Sequence, residues 1–265
     1  MIIIGELINS TRKAIAAAIE AADAAAIQEI ARNQAQAGAD YIDVNAGSFR
    51  DREAEHLKWL VKVVQEVVDL PCCLDSPNPA ALEAALSEHR GTPMINSISL
   101  ERDRKDKLLP LLRGSGHKVV ALCTSDAGMP RTAEDRIRTA EELIRLLLDH
   151  DVNVENIYVD PLVQPVATDQ TFGHEFLESV EQIMARFPGI HTICGLSNIS
   201  YGLPQRKFLN RTFMAMAIAK GLDAAILDPM DKQMMANVLG AEALAGRDRF
   251  CMKYIGAYRS KMLEV

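Results

Sequence analysis

AGADYIDV, residues 37–44, packs a helix stop, a short turn and a β-strand into eight positions. Gly38 is the residue type that ends helices, and Tyr41-Ile-Asp-Val44 is a short, mostly apolar run of strand-forming residues. KGLDAAIL, residues 220–227, repeats the arrangement near the other end of the chain. A helix feeding directly into a strand at both ends suggests one repeated αβ unit.

Working outward, the apolar runs predict eight strands: Ile2–Ile4, Tyr41–Val44, Cys72–Leu74, Met94–Ile95, Val119–Leu122, Ile157–Val159, Thr192–Cys194 and Ala224–Leu227. Helical stretches fall between them at 22–37, 52–68, 79–89, 132–148, 175–186, 206–220 and 231–245. Eight strand–helix units in 265 residues predict a (β/α)8 TIM barrel forming one domain over 1–265. An open doubly wound sheet would more often carry G-x-G-x-x-G after its first strand, and GELINSTR does not. Residues 247–265, with Phe250, Tyr254 and Tyr258, are expected to cap the barrel or join a subunit interface.

Composition sets the outer limits. Hydrophobic residues make up 48% and charged residues 25%, as in ordinary globular proteins, and the net charge of −7 argues against a nucleic-acid surface. No apolar run reaches the roughly 18 residues of a spanning helix, and the N-terminus lacks a signal-like basic region. The expectation is a cytoplasmic protein that contacts neither membrane nor nucleic acid. Five cysteines without framework spacing are read as buried thiols, and the adjacent Cys72 and Cys73 should face opposite ways.

Polar residues recur where the strands should end. They are Glu6 and Asn9, then Asp43, Asn45 and Gly47, then Asp75, Ser76 and Asn78. Asn96, Thr124, Ser125, Asp126, Asp160, Ser197, Asn198 and Asp228 follow. A barrel gathers these positions at one mouth. Ser76, Asn78 and Asp228 suit helix capping equally well, but capping is a poor explanation of the whole set. No Ser-His-Asp or Cys-His pairing, Schiff-base lysine or zinc spacing accompanies them. Of six histidines only His174, beside the long 160–175 loop, is a candidate for the mouth. Such a mouth suits a flat, nitrogen-rich ligand. A carboxylate accepts two parallel N–H bonds and an Asn amide both donates and accepts, so Asp75, Asn96 and Asp160 could hold the edge of a pterin.

The pieces GELIN, YIDVNAG, CLDS, MINSIS, YVDP and GLSNIS, followed by LNRTFMAMAIAKGLDAAI, resemble the methyltetrahydrofolate–corrinoid protein methyltransferases, in order and over nearly the whole chain. More distantly they resemble the folate module of cobalamin-dependent methionine synthase and dihydropteroate synthase. The resemblance implies a pterin held by Asp75, Asn96 and Asp160, and a loop of Gly195, Leu196, Ser197 and Asn198 with the Asn198 amide on N5. It implies that Arg206 reaches the folate tail. Glu6, Asn9, Asp43 and Asn45 are further candidates for the mouth. The implied reaction moves a methyl group between N5 of tetrahydrofolate and the cobalt of a corrinoid (cobalamin) carried by a separate protein. Methyltetrahydrofolate would be the donor in anaerobic acetyl-CoA synthesis, or tetrahydrofolate the acceptor in a demethylation pathway. The chain has no D-x-H-x-x-G corrinoid pattern of its own, and a homodimer is expected from the resemblance alone.

Two other readings stand beside it. A dihydropteroate synthase-like enzyme should carry STRPG after strand two and Ser-Arg-Lys near strand seven, where this chain has NAGSFR and GLSNIS. A non-catalytic methyltetrahydrofolate-binding module would keep the pterin contacts without turnover.

Overall fold

The computed structural model describes residues 1–264. Eight parallel strands form one sheet: β1 (Ile2–Asn9), β2 (Tyr41–Asn45), β3 (Cys72–Asp75), β4 (Met94–Ile98), β5 (Lys118–Leu122), β6 (Ile157–Asp160), β7 (His191–Thr192) and β8 (Ala224–Leu227). Their order is β7-β6-β5-β4-β3-β2-β1-β8. The ring closes where the Ile226 N–H donates to the Cys194 carbonyl at 2.9 Å and Gly195 bridges in parallel to Ile226. This is the expected (β/α)8 barrel.

The helices are α1 (Lys13–Glu20), α2 (Ala24–Gln36), α3 (Glu53–Gln65), α4 (Pro79–Leu86), α5 (Arg102–Leu112), α6 (Ala133–Leu148), α7 (Phe172–Arg186), α8 (Arg206–Ala219), α9 (Lys232–Leu244) and α10 (Met252–Arg259). Their starts follow local chemistry. Asp23, Asn78 and Asp231 each accept a backbone N–H from the first turn of α2, α4 and α9. Thr132 and Asp135 form a reciprocal capping box on α6.

Several boundaries differ from expectation. β1 runs on to Asn9, so Glu6 and Asn9 lie within a strand and not beyond it. Asn96 is likewise inside β4. β7 is only His191–Thr192, because Cys194 turns its carbonyl toward β8. α7 begins three residues early, which places His174 in a helix. α1 and α5 are additional; the 102–107 part of α5 is so charged that no apolar face announces it.

Strand alternation divides the core into two compartments. Ile4, Tyr41, Cys73, Met94, Val120, Tyr158, Ile193 and Ala224 form one buried cluster. Each strand, or the residue after it, contributes one member. This is the barrel interior. The intervening positions, such as Ile42, Cys72, Leu74, Ile95, Val119 and Val159, pack against the helices in the outer core. Cys72 and Cys73 therefore do face opposite ways. Four of the cysteines are buried as expected, but Cys251 is exposed at the start of α10.

Gly5 shows how closely strand and helix approach. A Cβ there would lie 2.4 Å from Oε1 of Gln34, and that oxygen accepts the Leu7 N–H at 3.0 Å. A register shift between Gly5 and Ile8 follows, and Ile8 joins the outer core. Glu6 is left facing the cavity at the mouth.

Candidate active site at the barrel mouth

Two residues beyond each member of the interior cluster, period-2 alternation places the next inward side chain. Those positions are Glu6, Asp43, Asp75, Asn96, Leu122, Asp160, Gly195 and Ile226. Five of the eight are acidic or amide side chains, stacked directly on an apolar floor at the C-terminal end of the barrel.

Burial governs their ionisation. Asp160, 8% exposed, is pushed up to about 7 by burial, against partial relief from the Leu162 and Gly195 N–H groups and from Arg136. Its Oδ1 accepts the Leu162 N–H at 2.8 Å. Burial raises Asp75 as well, while the Asn45 amide and the Arg104 guanidinium pull it back. Asp43, 3% exposed, is raised well above the carboxylate range by burial and by the charge of Asp75. Glu6 is raised by burial too, offset mainly by Arg12, whose Nη2 lies 3.0 Å from its Oε1.

Asn45 ties the acidic wall to the loops. Its Nδ2 donates to Asp75 Oδ2 at 3.0 Å, and its Oδ1 accepts from Ser10 Oγ at 2.8 Å and from the Gly47 N–H at 3.1 Å. Beside it, buried Glu53 accepts from Ser76 Oγ at 2.6 Å. Asn9 is occupied differently: its oxygen accepts from the N–H and hydroxyl of Thr11 at 3.0 and 2.7 Å, closing a turn at the surface. Asn78 caps α4, and Asp228 accepts the Met230 N–H at 2.9 Å. The capping reading is correct for Asn78. Asp228 does turn-forming work and also lines the mouth cavity.

GLSNIS becomes a 3-10 turn, Leu196–Ser200, over the seventh strand. Leu196, Ile199 and Ser200 are buried, and Asn198 is exposed. The Asn198 amide folds back over Gly195, where an added Cβ would lie 3.4 Å from its Nδ2. Arg206 holds the turn from α8, donating to the Ser197 carbonyl at 2.7 Å and to Ser200 Oγ at 3.1 Å. Its guanidinium also lies over the Tyr201 ring, 5.8 Å from the centroid.

A cavity of about 400 Å³ opens next to this turn, lined in part by Glu6, Arg12, Ser197, Arg206, Asp228 and Asp231. Arg12 and Asp231 were not foreseen. Arg12 follows Glu6 by six residues in GELINSTR, which is the only sequence signal for it. Arg136 was missed altogether: fully buried on α6, it donates from Nε to the Pro161 carbonyl at 2.9 Å and so fixes the segment after Asp160. His174 is not at the mouth. It borders an apolar groove between α7 and α8 with Leu177, Phe213 and Met216.

Among the described residues no group of three or more His, Cys, Asp or Glu side chains is arranged to hold a metal ion. No helix there is long and apolar enough to cross a membrane.

Comparison with known proteins agrees with this geometry. The chain is 39% identical to the methylcorrinoid:tetrahydrofolate methyltransferase of Eubacterium limosum over 98% of its own length and 96% of that protein's. It is 32% identical to the methionine synthase of Mycobacterium tuberculosis, covering 86% of this chain but only 20% of that longer one. A dihydropteroate synthase from Coxiella burnetii, solved with pteroic acid, superposes with a TM-score of 0.73 over 92% of this chain and 93% of its own, at 15% identity; that likeness concerns the fold. The family model described as pterin binding enzyme matches residues 5–228, and the chain belongs to that family.

Proposed function

We propose that the protein is a methyltransferase that moves a methyl group between a corrinoid, presented by a separate protein, and N5 of tetrahydrofolate. The observation that carries this reading is the polar layer itself. Asp75, Asn96 and Asp160 rise from three strands on an apolar floor, and an exposed Asn198 stands over Gly195 at the rim. The full-length likeness to a methylcorrinoid:tetrahydrofolate enzyme supports tetrahydrofolate as the methyl acceptor.

In this reading Asp75 and Asp160 accept N–H groups of the pterin edge, and Asn96 donates and accepts beside them. Gly195 lets the ring approach the backbone, while Leu196 and Ser197 shape the wall that carries Asn198. When the methyl group leaves N5, its bonding pair stays on nitrogen; when it arrives, N5 spends its lone pair. Both directions change the charge at N5. The Asn198 amide has no acidic proton to give, so its contribution is a hydrogen bond that strengthens as that charge develops. Arg206 keeps Asn198 in place through the Ser197 carbonyl, and its face toward the cavity suits the carboxylates of a folate tail. A homodimer is part of the proposal, supported by the exposed Phe250, Met252 and Tyr258 of the C-terminal segment.

The direct test mixes purified protein with free methylcobalamin and tetrahydrofolate under reducing conditions and follows methyltetrahydrofolate by mass. Turnover supports an enzyme. Tight tetrahydrofolate binding without turnover, with free corrinoid and with an added corrinoid protein alike, would leave a binding module.

A further inference from the structure

Asp43 is the most deeply placed carboxyl of the polar layer, 3% exposed on β2, and its Oδ1 meets no hydrogen-bond partner among the described residues. The groups that face it are Asp75 and the Cys73 thiol from β3, Glu6 from β1 and the Asn96 amide from β4. Two of these are carboxyls and none is a cation. Asp75, on the adjoining strand, is provisioned for charge: Asn45 donates to its Oδ2 at 3.0 Å and the Arg104 guanidinium acts on it from α5. Two neighbouring carboxyls in a dry interior do not both ionise, and the one with donors and a cation takes the charge.

We propose that Asp43 is a positioning residue for the pterin site: it keeps the proton of the Asp43–Asp75 pair, so that Asp75 meets the pterin as a carboxylate. An ionised Asp75 can accept two N–H bonds from the ligand edge, whereas a protonated one would turn a donor toward donors. Asp43 thus acts through Asp75 and not on the ligand. This inference rests on the pterin reading of the mouth, yet the location of the proton can be measured without any ligand.

The experiment is infrared spectroscopy of the unliganded protein with isotopically labelled aspartate, comparing wild type, Asp43→Asn and Asp75→Asn near neutral pH. Protonated-carboxyl bands near neutral pH include that of Asp160, which titrates at about 7. The expected result is a second such band that Asp43→Asn removes and Asp75→Asn retains. In Asp75→Asn that band should also titrate away at lower pH than in wild type, because the like charge that raises Asp43 is gone. Adding tetrahydrofolate to wild type should leave this second band in place. Persistence of the second band in Asp43→Asn, an unmoved titration in Asp75→Asn, or its loss on ligand binding would each overturn the proposal. Should Asp43→Asn fail to fold, the Asp75→Asn titration alone decides it. Failure to bind tetrahydrofolate would overturn the pterin reading, while the unliganded spectra would still decide which carboxyl holds the proton.

Discussion

The Asn45 amide spans β2 and β3, donating to Asp75 Oδ2 at 3.0 Å and to the Asp75 carbonyl at 3.2 Å. One side chain thus orients a carboxylate and favours its charged form. Replacing Asn45 with Ala removes a hydrogen bond to a charged acceptor, a loss of roughly 1.5–3 kcal/mol. Tetrahydrofolate affinity measured by calorimetry near pH 7 is expected to fall about 10-fold or more. Unchanged affinity would separate Asp75 from ligand binding.

The pH dependence of binding should report Asp160. Its carboxyl titrates at about 7 in the folded protein, because burial disfavours the charge. In the proposed site Asp160 accepts pterin N–H groups more strongly when ionised, so affinity should rise as pH increases through about 7. Asp160→Asn should remove that dependence along with most of the affinity. A profile in Asp160→Asn that overlays the wild type would assign the titration to another group.

Asp160 also links pH to stability. A carboxyl whose folded value lies above its unfolded one, here about 7 against 3.8, binds more protons when folded. Its contribution is complete below the unfolded value and is lost as pH rises through about 7. Unfolding at pH 8 should therefore show Asp160→Asn more stable than wild type by an amount on the order of 1–3 kcal/mol, the difference disappearing in acid. Equal chemical-denaturation midpoints at both pH values would contradict the buried charge.

Arg206 and Arg136 hold the two loops that frame the mouth. Arg206→Ala frees the Ser197 carbonyl and the turn bearing Asn198, so with the proposed role of Asn198 the methyl-transfer rate constant should fall roughly 10–100-fold. Arg206→Lys should not restore it, since an ammonium cannot reproduce the fork that reaches both Ser197 and Ser200. Arg136→Met strands the buried Pro161 carbonyl and should cost about 1–3 kcal/mol in denaturant unfolding.

Much of this was legible in the sequence because the barrel writes itself in two periods. Tyr41-Ile-Asp-Val44 alternates inward and outward, and its inward Asp43 lies one step above inward Tyr41. The same step from Cys73, Met94 and Tyr158 reaches Asp75, Asn96 and Asp160, so strand-end polarity was sufficient to find them. What was not legible depends on neighbours distant in sequence. Arg136 sits in the first turn of its helix like any surface arginine until α6 packs over Pro161. Asn9 looked like a mouth residue, but the adjacent Thr11 occupies its oxygen, and only the loop's path reveals that. Asp231 was hidden in a helix cap, and it pairs with Arg211 at 2.7 Å while also lining the cavity.

Asn198, as proposed, acts on the reacting nitrogen more than on binding, and Asn198→Ala tests it. Tetrahydrofolate dissociation constants and single-turnover methyl-transfer rates would be measured side by side for wild type and variant. The prediction is a rate lower by about 10²-fold or more with affinity reduced much less, the signature of a hydrogen bond made chiefly in the transition state. A variant that lost affinity and rate in equal proportion, or that transferred methyl groups at the wild-type rate, would contradict it.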